Sequence, residues 1–74
     1  MEKEITEALI LNKTGSMVSA ADAILLEAQK TIHAADDLKL RNDVVDQLNN
    51  IRLSLIKMRS LMYVTASEML QKQK

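Results

Sequence analysis

The presence of a single glycine and the absence of proline constrain the fold of this chain more than any other feature of its sequence. Glycine and proline most often interrupt or end regular structure, and the 74 residues contain only Gly15 and no proline. Tyr63 is the sole aromatic residue, so a core must be built from Leu, Ile, Val, Met and Ala. Hydrophobic residues make up 47% of the chain, and Leu, Met and Ala are good helix formers. The sequence therefore predicts an all-α protein.

Gly15 stands in the stretch LNKTGSMVSAADA, where it either ends a short helix or lies inside a long one. Apolar and small residues step by four and three positions across it without losing phase, which favours one helix over about residues 4–35. The alternative is a short leading helix followed by a new one capped by Ser16 or Ser19. The stripe that crosses Gly15 consists of Ile10, Thr14, Met17, Ala21, Ile24, Ala28, Thr31 and Ala35.

A second helix is predicted over about residues 43–72, with Asn42 as its N-cap and a turn over about 36–42. Its stripe also repeats by four and three positions, as in a heptad seam. Projected at about 100° per residue, the two stripes fall on opposite sides of a continuous rod, so an antiparallel hairpin is needed to bring them together. The second stripe consists of Val44, Leu48, Ile51, Leu55, Met58, Met62, Thr65 and Met69.

One antiparallel register pairs all members of the two stripes. Ile24 lies opposite Leu55 in this register, and Ala21 lies opposite Met58, so several pairs set a small residue against a large one. Alternation of size across facing positions allows two helices to pack closely. The expected fold is thus a coiled-coil-like two-helix hairpin forming a single domain over residues 1–74.

Further apolar residues lie outside these stripes, and a two-helix domain cannot bury them all. A helix that is apolar nearly all round is normally covered on several sides, and a chain this small without cysteine is expected to need a partner. We therefore expect either a homodimer forming a four-helix bundle or a heteromeric helical partner; membrane-surface association and a fragment of a longer helical protein are further alternatives. The predicted interface consists of Leu11, Val18, Leu25, Ile32, Leu53, Ile56, Leu61, Tyr63, Val64 and Leu70.

Residues capable of chemistry are few. His33 is the sole histidine, and its place near the end of the first helix suits the helix dipole. Asp36 and Asp37 suit a turn better than a calcium loop, because the glycine and regular oxygen spacing of such a loop are missing. Arg52 and Arg59 are candidates for phosphate contacts, although such side chains more often cover the edge of a core. The sequence predicts no enzyme, no metal site and no cofactor.

The charges balance, with 10 basic and 10 acidic residues, which disfavours a typical nucleic-acid binder. No membrane span is expected, and the acidic start MEKEITE is unlike a signal peptide, so a cytoplasmic protein is expected. In size and hairpin plan, the chain resembles the small co-chaperones that hold needle subunits of type III secretion systems. It also resembles small dimeric regulators of plasmids and phages. The expected function is protein–protein interaction; an adaptor of the secretion type or a nucleic-acid-binding helical dimer is the alternative.

Overall fold

Two long α-helices make up almost all of the computed structural model, which describes residues 2–72. Helix α1 spans Glu2–Ile32 and helix α2 spans Leu38–Gln71. They pack against each other as an antiparallel hairpin, as the sequence predicts. Gly15 lies inside α1 with a negative φ, so the continuous first helix is confirmed and the alternative with a new cap at Ser16 or Ser19 is wrong.

The connection between the helices is shorter than predicted and comes earlier in the chain. The last turn of α1 tightens, because the amides of Ala34 and Ala35 donate to the carbonyls of Thr31 and Ile32 at 3.1 and 3.0 Å. Such i to i+3 bonds often close the C-terminal end of an α-helix. Helix α1 therefore ends at Ile32 and not at residue 35.

Asp37 determines where α2 begins. Its carboxylate Oδ1 accepts a hydrogen bond from the amide of Leu40 at 3.0 Å, and its backbone is extended, as an N-cap requires. The predicted cap at Asn42 is wrong, since Asn42 lies inside the first turns of the helix. Leu38 and Leu40 belong to this helix as well and are exposed.

The line of contact between the helices differs from the predicted one by a rotation of α1. Its buried members on α1 are Ala8, Gly15 and Gln29, and half-buried Asp22 continues the same seven-residue repeat. The predicted seam residues Ile10, Met17 and Ile24 are instead 57%, 62% and 69% exposed. The side chains that follow them by one position are half-buried: Leu11, Val18 and Leu25, with Ile32 continuing the row.

The corresponding line on α2 agrees with the prediction at six of its eight positions. Ile51 and Met58 are exposed, whereas the other members are half-buried as expected: Val44, Leu48, Leu55, Met62, Thr65 and Met69. A second row on α2, also at heptad spacing, is half-buried or buried: Val45, Arg52, Arg59 and Ala66. The two helices therefore meet along one apolar row and one mainly polar or small row.

The antiparallel register lies within one residue of the predicted one. Ser19 contacts Arg59, and Gln29 contacts Asn49, whereas the mirrored stripes would place residues 60 and 50 there. The hairpin measures 56 × 14 × 13 Å. Its buried apolar residues are Ala8 and Ala66 alone among residues 2–72, at 0% and 1% exposure. A rod of this shape keeps most of its large apolar side chains in contact with solvent.

Candidate protein-binding surface

A polar cluster occupies one flank of the contact between the helices. Arg52 donates from Nε to Asp22 Oδ1 at 2.9 Å and from Nη2 to Oδ2 at 3.4 Å, which makes the ion pair bidentate. Its third nitrogen, Nη1, donates to Gln29 Oε1 at 2.9 Å. Bidentate arginine–carboxylate pairs combine strength with a defined geometry. The cluster therefore fixes how α1 and α2 are aligned.

Gln29 completes this cluster and is the one buried polar residue within 2–72, at 7% exposure. Its Nε2 donates to Asn49 Oδ1 at 2.5 Å and lies 3.5 Å from the carbonyl oxygen of Val45. Both ends of its amide are thus bonded, which is what burial of a polar side chain requires. A pattern based on apolar residues alone does not identify Gln29 as a core position.

The contact with Arg52 changes the acidity of Asp22. The hydrogen bond from Arg52 holds the pKa of Asp22 below the usual value of an aspartate, against the opposing effect of desolvation. The positive charges of Arg52 and Arg59 act in the same direction as the hydrogen bond. Asp22 is accordingly a carboxylate at neutral pH, and the ion pair is charged.

Arg59 lies on the same flank, where its Nη1 donates to Ser19 Oγ at 3.3 Å. Arg52 uses its Nε, Nη1 and Nη2 atoms inside the hairpin. A phosphate could be held by Arg52 only at the expense of these bonds. The two arginines thus serve the helix contact in this structure and do not form a free basic patch.

Tyr63 covers Gly15 on this flank. A Cβ atom added to Gly15 would lie 2.5 Å from Cε1 and 2.9 Å from Cζ of the ring. The missing side chain of glycine is therefore what lets the ring approach α1. Tyr63 was predicted to face a partner chain, and the structure places its ring against Gly15 while 37% of the residue stays exposed.

The opposite flank carries a continuous apolar surface to which both helices contribute. The polar contacts and Tyr63 lie on the first flank. Successive residues of a helix differ in direction by about 100°, so Ile10, Met17 and Ile24 point away from that flank relative to Leu11, Val18 and Leu25. We call this surface the apolar face; it consists of Ile10, Met17, Ile24, Ile51, Met58 and Leu61, all exposed. Small or half-buried residues form the groove between its two rows: Thr14, Ala21, Ala28, Val44 and Thr65.

The ten residues predicted to bind a partner are divided by the structure. Leu11, Val18, Leu25 and Ile32 are half-buried along the helix contact, and Ile56 is half-buried on the flank of Tyr63. The exposed members are Leu53, Leu61, Tyr63, Val64 and Leu70.

The described residues provide neither an enclosed pocket nor a cluster of metal ligands. Residues 2–72 enclose no cavity, and their His, Asp and Glu side chains form no group of three or more that could hold a metal ion. His33 is exposed, and its carbonyl accepts a hydrogen bond from Arg41 Nη1 at 3.4 Å.

Helix α1 is also long and apolar enough to cross a membrane, by length and composition. An 18-residue window of it has a mean hydropathy of 1.2, and only 6% of that window is buried in the hairpin. Both the exposed and the half-buried apolar rows of α1 contribute to the hydropathy of this helix.

Comparison with known proteins adds no relative: no family model matches the chain, and no curated protein or solved structure is significantly similar to it. The function must therefore be inferred from the two flanks described above. One flank is polar and used within the hairpin. The other is apolar, exposed and available for contact.

Proposed function

We propose that this chain is a non-enzymatic protein–protein interaction module that binds through the apolar face. The observation that supports the proposal is the exposure of Ile10, Met17 and Ile24 in one row, at 57%, 62% and 69%. Single exposed apolar residues are common on soluble proteins, whereas contiguous apolar patches mark sites of interaction. The face extends over both helices and has no charged residue among its six members.

The alternative of a binding site on the polar flank has less support. Asp22, Gln29 and Arg52 satisfy one another within the hairpin, so little of their hydrogen-bonding capacity is left for a ligand. A role in nucleic-acid binding would also lack the excess of positive charge on which such binding depends, because basic and acidic residues are equal in number, at 10 each. Protein binding by apolar contact would use the exposed side chains of the apolar face.

Site-specific photo-crosslinking in the native host tests this proposal. A photoreactive amino acid replaces Ile24, on the apolar face, or Leu9, which is 63% exposed on the outer side of α1 and serves as the matched control. We expect protein adducts from position 24 and few or none from position 9. Equal adducts at both positions, or none at position 24, would contradict binding through this face.

A further inference from the structure

We propose that the occupant of the apolar face is a second copy of this chain, packed with a two-fold axis parallel to the hairpin to form a four-helix bundle. This inference rests on the proposed function, since it specifies the partner of the same face. In this arrangement, α1 of one copy lies on α2 of the other. The interface is isologous, because the same residues are used on both copies.

The first argument is the incomplete core of the hairpin. Ala8 and Ala66 are the buried apolar residues among 2–72, and no large side chain there is fully buried. A domain of this size is marginal even when its core is complete. Packing two apolar faces together would bury six of the fifteen large apolar side chains that the isolated hairpin exposes among residues 2–72. A second copy is present whenever the chain is made, and it brings an equal apolar face.

The second argument is area. The long side of the hairpin measures 56 by 14 Å, which corresponds to roughly the 800 Å² that each partner contributes to a standard stable interface. The chain has no net charge, so two copies do not repel each other through a shared excess of one sign. The whole long side of the hairpin, of which the apolar face is a part, is therefore large enough to pack against a second copy, and no net charge opposes this.

The third argument concerns the shape of the face and decides the orientation of the axis. The α1 side of the groove is lined by small Ala21 and Ala28, whereas the α2 side carries large Met58 and Ile51 at nearly the same heights. An axis parallel to the hairpin sets the small side of one copy against the large side of the other. Alternation of small and large residues across facing positions is what close packing needs.

Charges at the edge of the face agree with this orientation. Lys13 of α1 and Glu68 of α2 are exposed and lie at similar heights along the rod. The parallel axis brings Lys13 of each copy beside Glu68 of the other, so a pair of unlike charges lies on each side of the axis, toward the end of the rod opposite the turn. An exposed pair of this kind contributes little to affinity, but it disfavours the arrangements that would bring like charges together.

Sedimentation of the purified full chain tests whether the partner is a second copy. We expect a two-chain species at micromolar concentration and a single-chain species for Ile24→Glu. The dissociation constant should rise by about a hundredfold or more, because the symmetry buries the introduced charge twice. The control Leu9→Glu adds the same charge outside the face and should leave the dimer intact. The inference is wrong if the unmodified protein sediments as a single chain. It is also wrong if Ile24→Glu and Leu9→Glu change the dissociation constant equally.

Disulfide trapping tests the orientation and does not depend on whether Ile24→Glu folds. The chain has no cysteine, so a mixture of Ile24→Cys chains and Ser54→Cys chains reports on one inter-chain distance. The parallel axis brings positions 24 and 54 of different copies together, and we expect a mixed disulfide dimer. A mixture of Ile24→Cys and Met17→Cys chains would cross-link instead if α1 packed on α1, which would refute the proposed axis.

The two proposals fail in different ways. If the purified chain is a single-chain species while position 24 still forms adducts with another protein in the host, the protein-binding function stands and the second copy is wrong. If position 24 forms no protein adduct and the chain floats with vesicles of neutral and anionic phospholipid, both proposals are wrong. The apolar row of α1 would then contact lipid.

Discussion

Replacement of Gly15 by alanine tests the closest approach of the two helices. In the interior of a helix, alanine is favoured over glycine by about 1 kcal/mol, so the substitution should stabilise α1 if nothing stood beside it. The added Cβ, however, would lie 2.5 Å from Cε1 of Tyr63. Ordinary contacts between carbon atoms are about 3.5–4.0 Å long, and the ring must therefore withdraw by about 1 Å or more.

The ring can withdraw because it is the far end of a flexible side chain that is 37% exposed. Withdrawal removes its packing on α1; if about 40 Å² of apolar surface becomes exposed, the loss is about 1 kcal/mol. The gain and the loss then nearly cancel. We expect Gly15→Ala to change the free energy of unfolding by less than about 0.5 kcal/mol. In a Tyr63→Ala background, the same substitution should stabilise the protein by about 1 kcal/mol.

The assay is a double-mutant cycle measured by urea unfolding, followed by circular dichroism at one fixed chain concentration. The expected coupling energy between Gly15 and Tyr63 is about 1 kcal/mol, which lies within the range for residues in contact. The control Ala23→Gly lies at an exposed position of α1. It measures how much glycine destabilises the helix where no ring covers it, and this loss of free energy should be equal with Tyr63 and in the Tyr63→Ala background. If Gly15→Ala stabilises both backgrounds by the same amount, the ring does not pack on the glycine and the reasoning is wrong.

Two further predictions concern the polar cluster. Because Arg52 lowers the pKa of Asp22 in the folded state, their contact stabilises the protein above the unfolded pKa of about 3.9, and this contribution is lost as the pH falls through the lower folded pKa. Asp22→Asn should flatten the acid limb of a plot of urea midpoint against pH, and an unchanged limb would contradict the pairing. Gln29→Ala removes the bonds to Arg52 and Asn49 and should cost about 2 kcal/mol in urea unfolding. The exposed control Gln47→Ala should stay within about 0.5 kcal/mol, and equal effects would refute the role of Gln29.

The all-α hairpin and its register were predictable because they depend on features that a sequence displays directly. The absence of proline and the phase of the repeats determine two helices, and the turn between them limits the antiparallel register to within one residue of the observed pairs, such as Ser19 with Arg59. The ends of the helices were less predictable. Asp37 and Asn42 are both good N-caps, and the sequence gives no reason to prefer the one that the structure uses.

The rotation of α1 could not be predicted from apolar periodicity. Two neighbouring rows repeat every seven residues, one with Ile10, Met17 and Ile24 and the other with Leu11, Val18 and Leu25. The choice between them depends on Asp22, which an apolar pattern treats as a surface residue. An acidic residue on one helix with an arginine about one helical turn away on the other was the available signal. Its meaning depends on side-chain geometry, which spacing alone does not give.

The polar contact within the hairpin contributes less to the stability of this protein than burial of its large apolar side chains would. Hydrogen-bonded polar groups specify alignment but contribute modest net free energy, since water satisfies the same groups in the unfolded chain. Burial of large apolar side chains contributes more, and in this hairpin those side chains lie mostly on the outside. The contact around Asp22 and Arg52 thus aligns the two helices, while burial of the exposed side chains of the apolar face would add free energy that the isolated hairpin does not gain. Folding of the hairpin and covering of that face are therefore expected to occur as one coupled event, so that the melting temperature should rise with chain concentration.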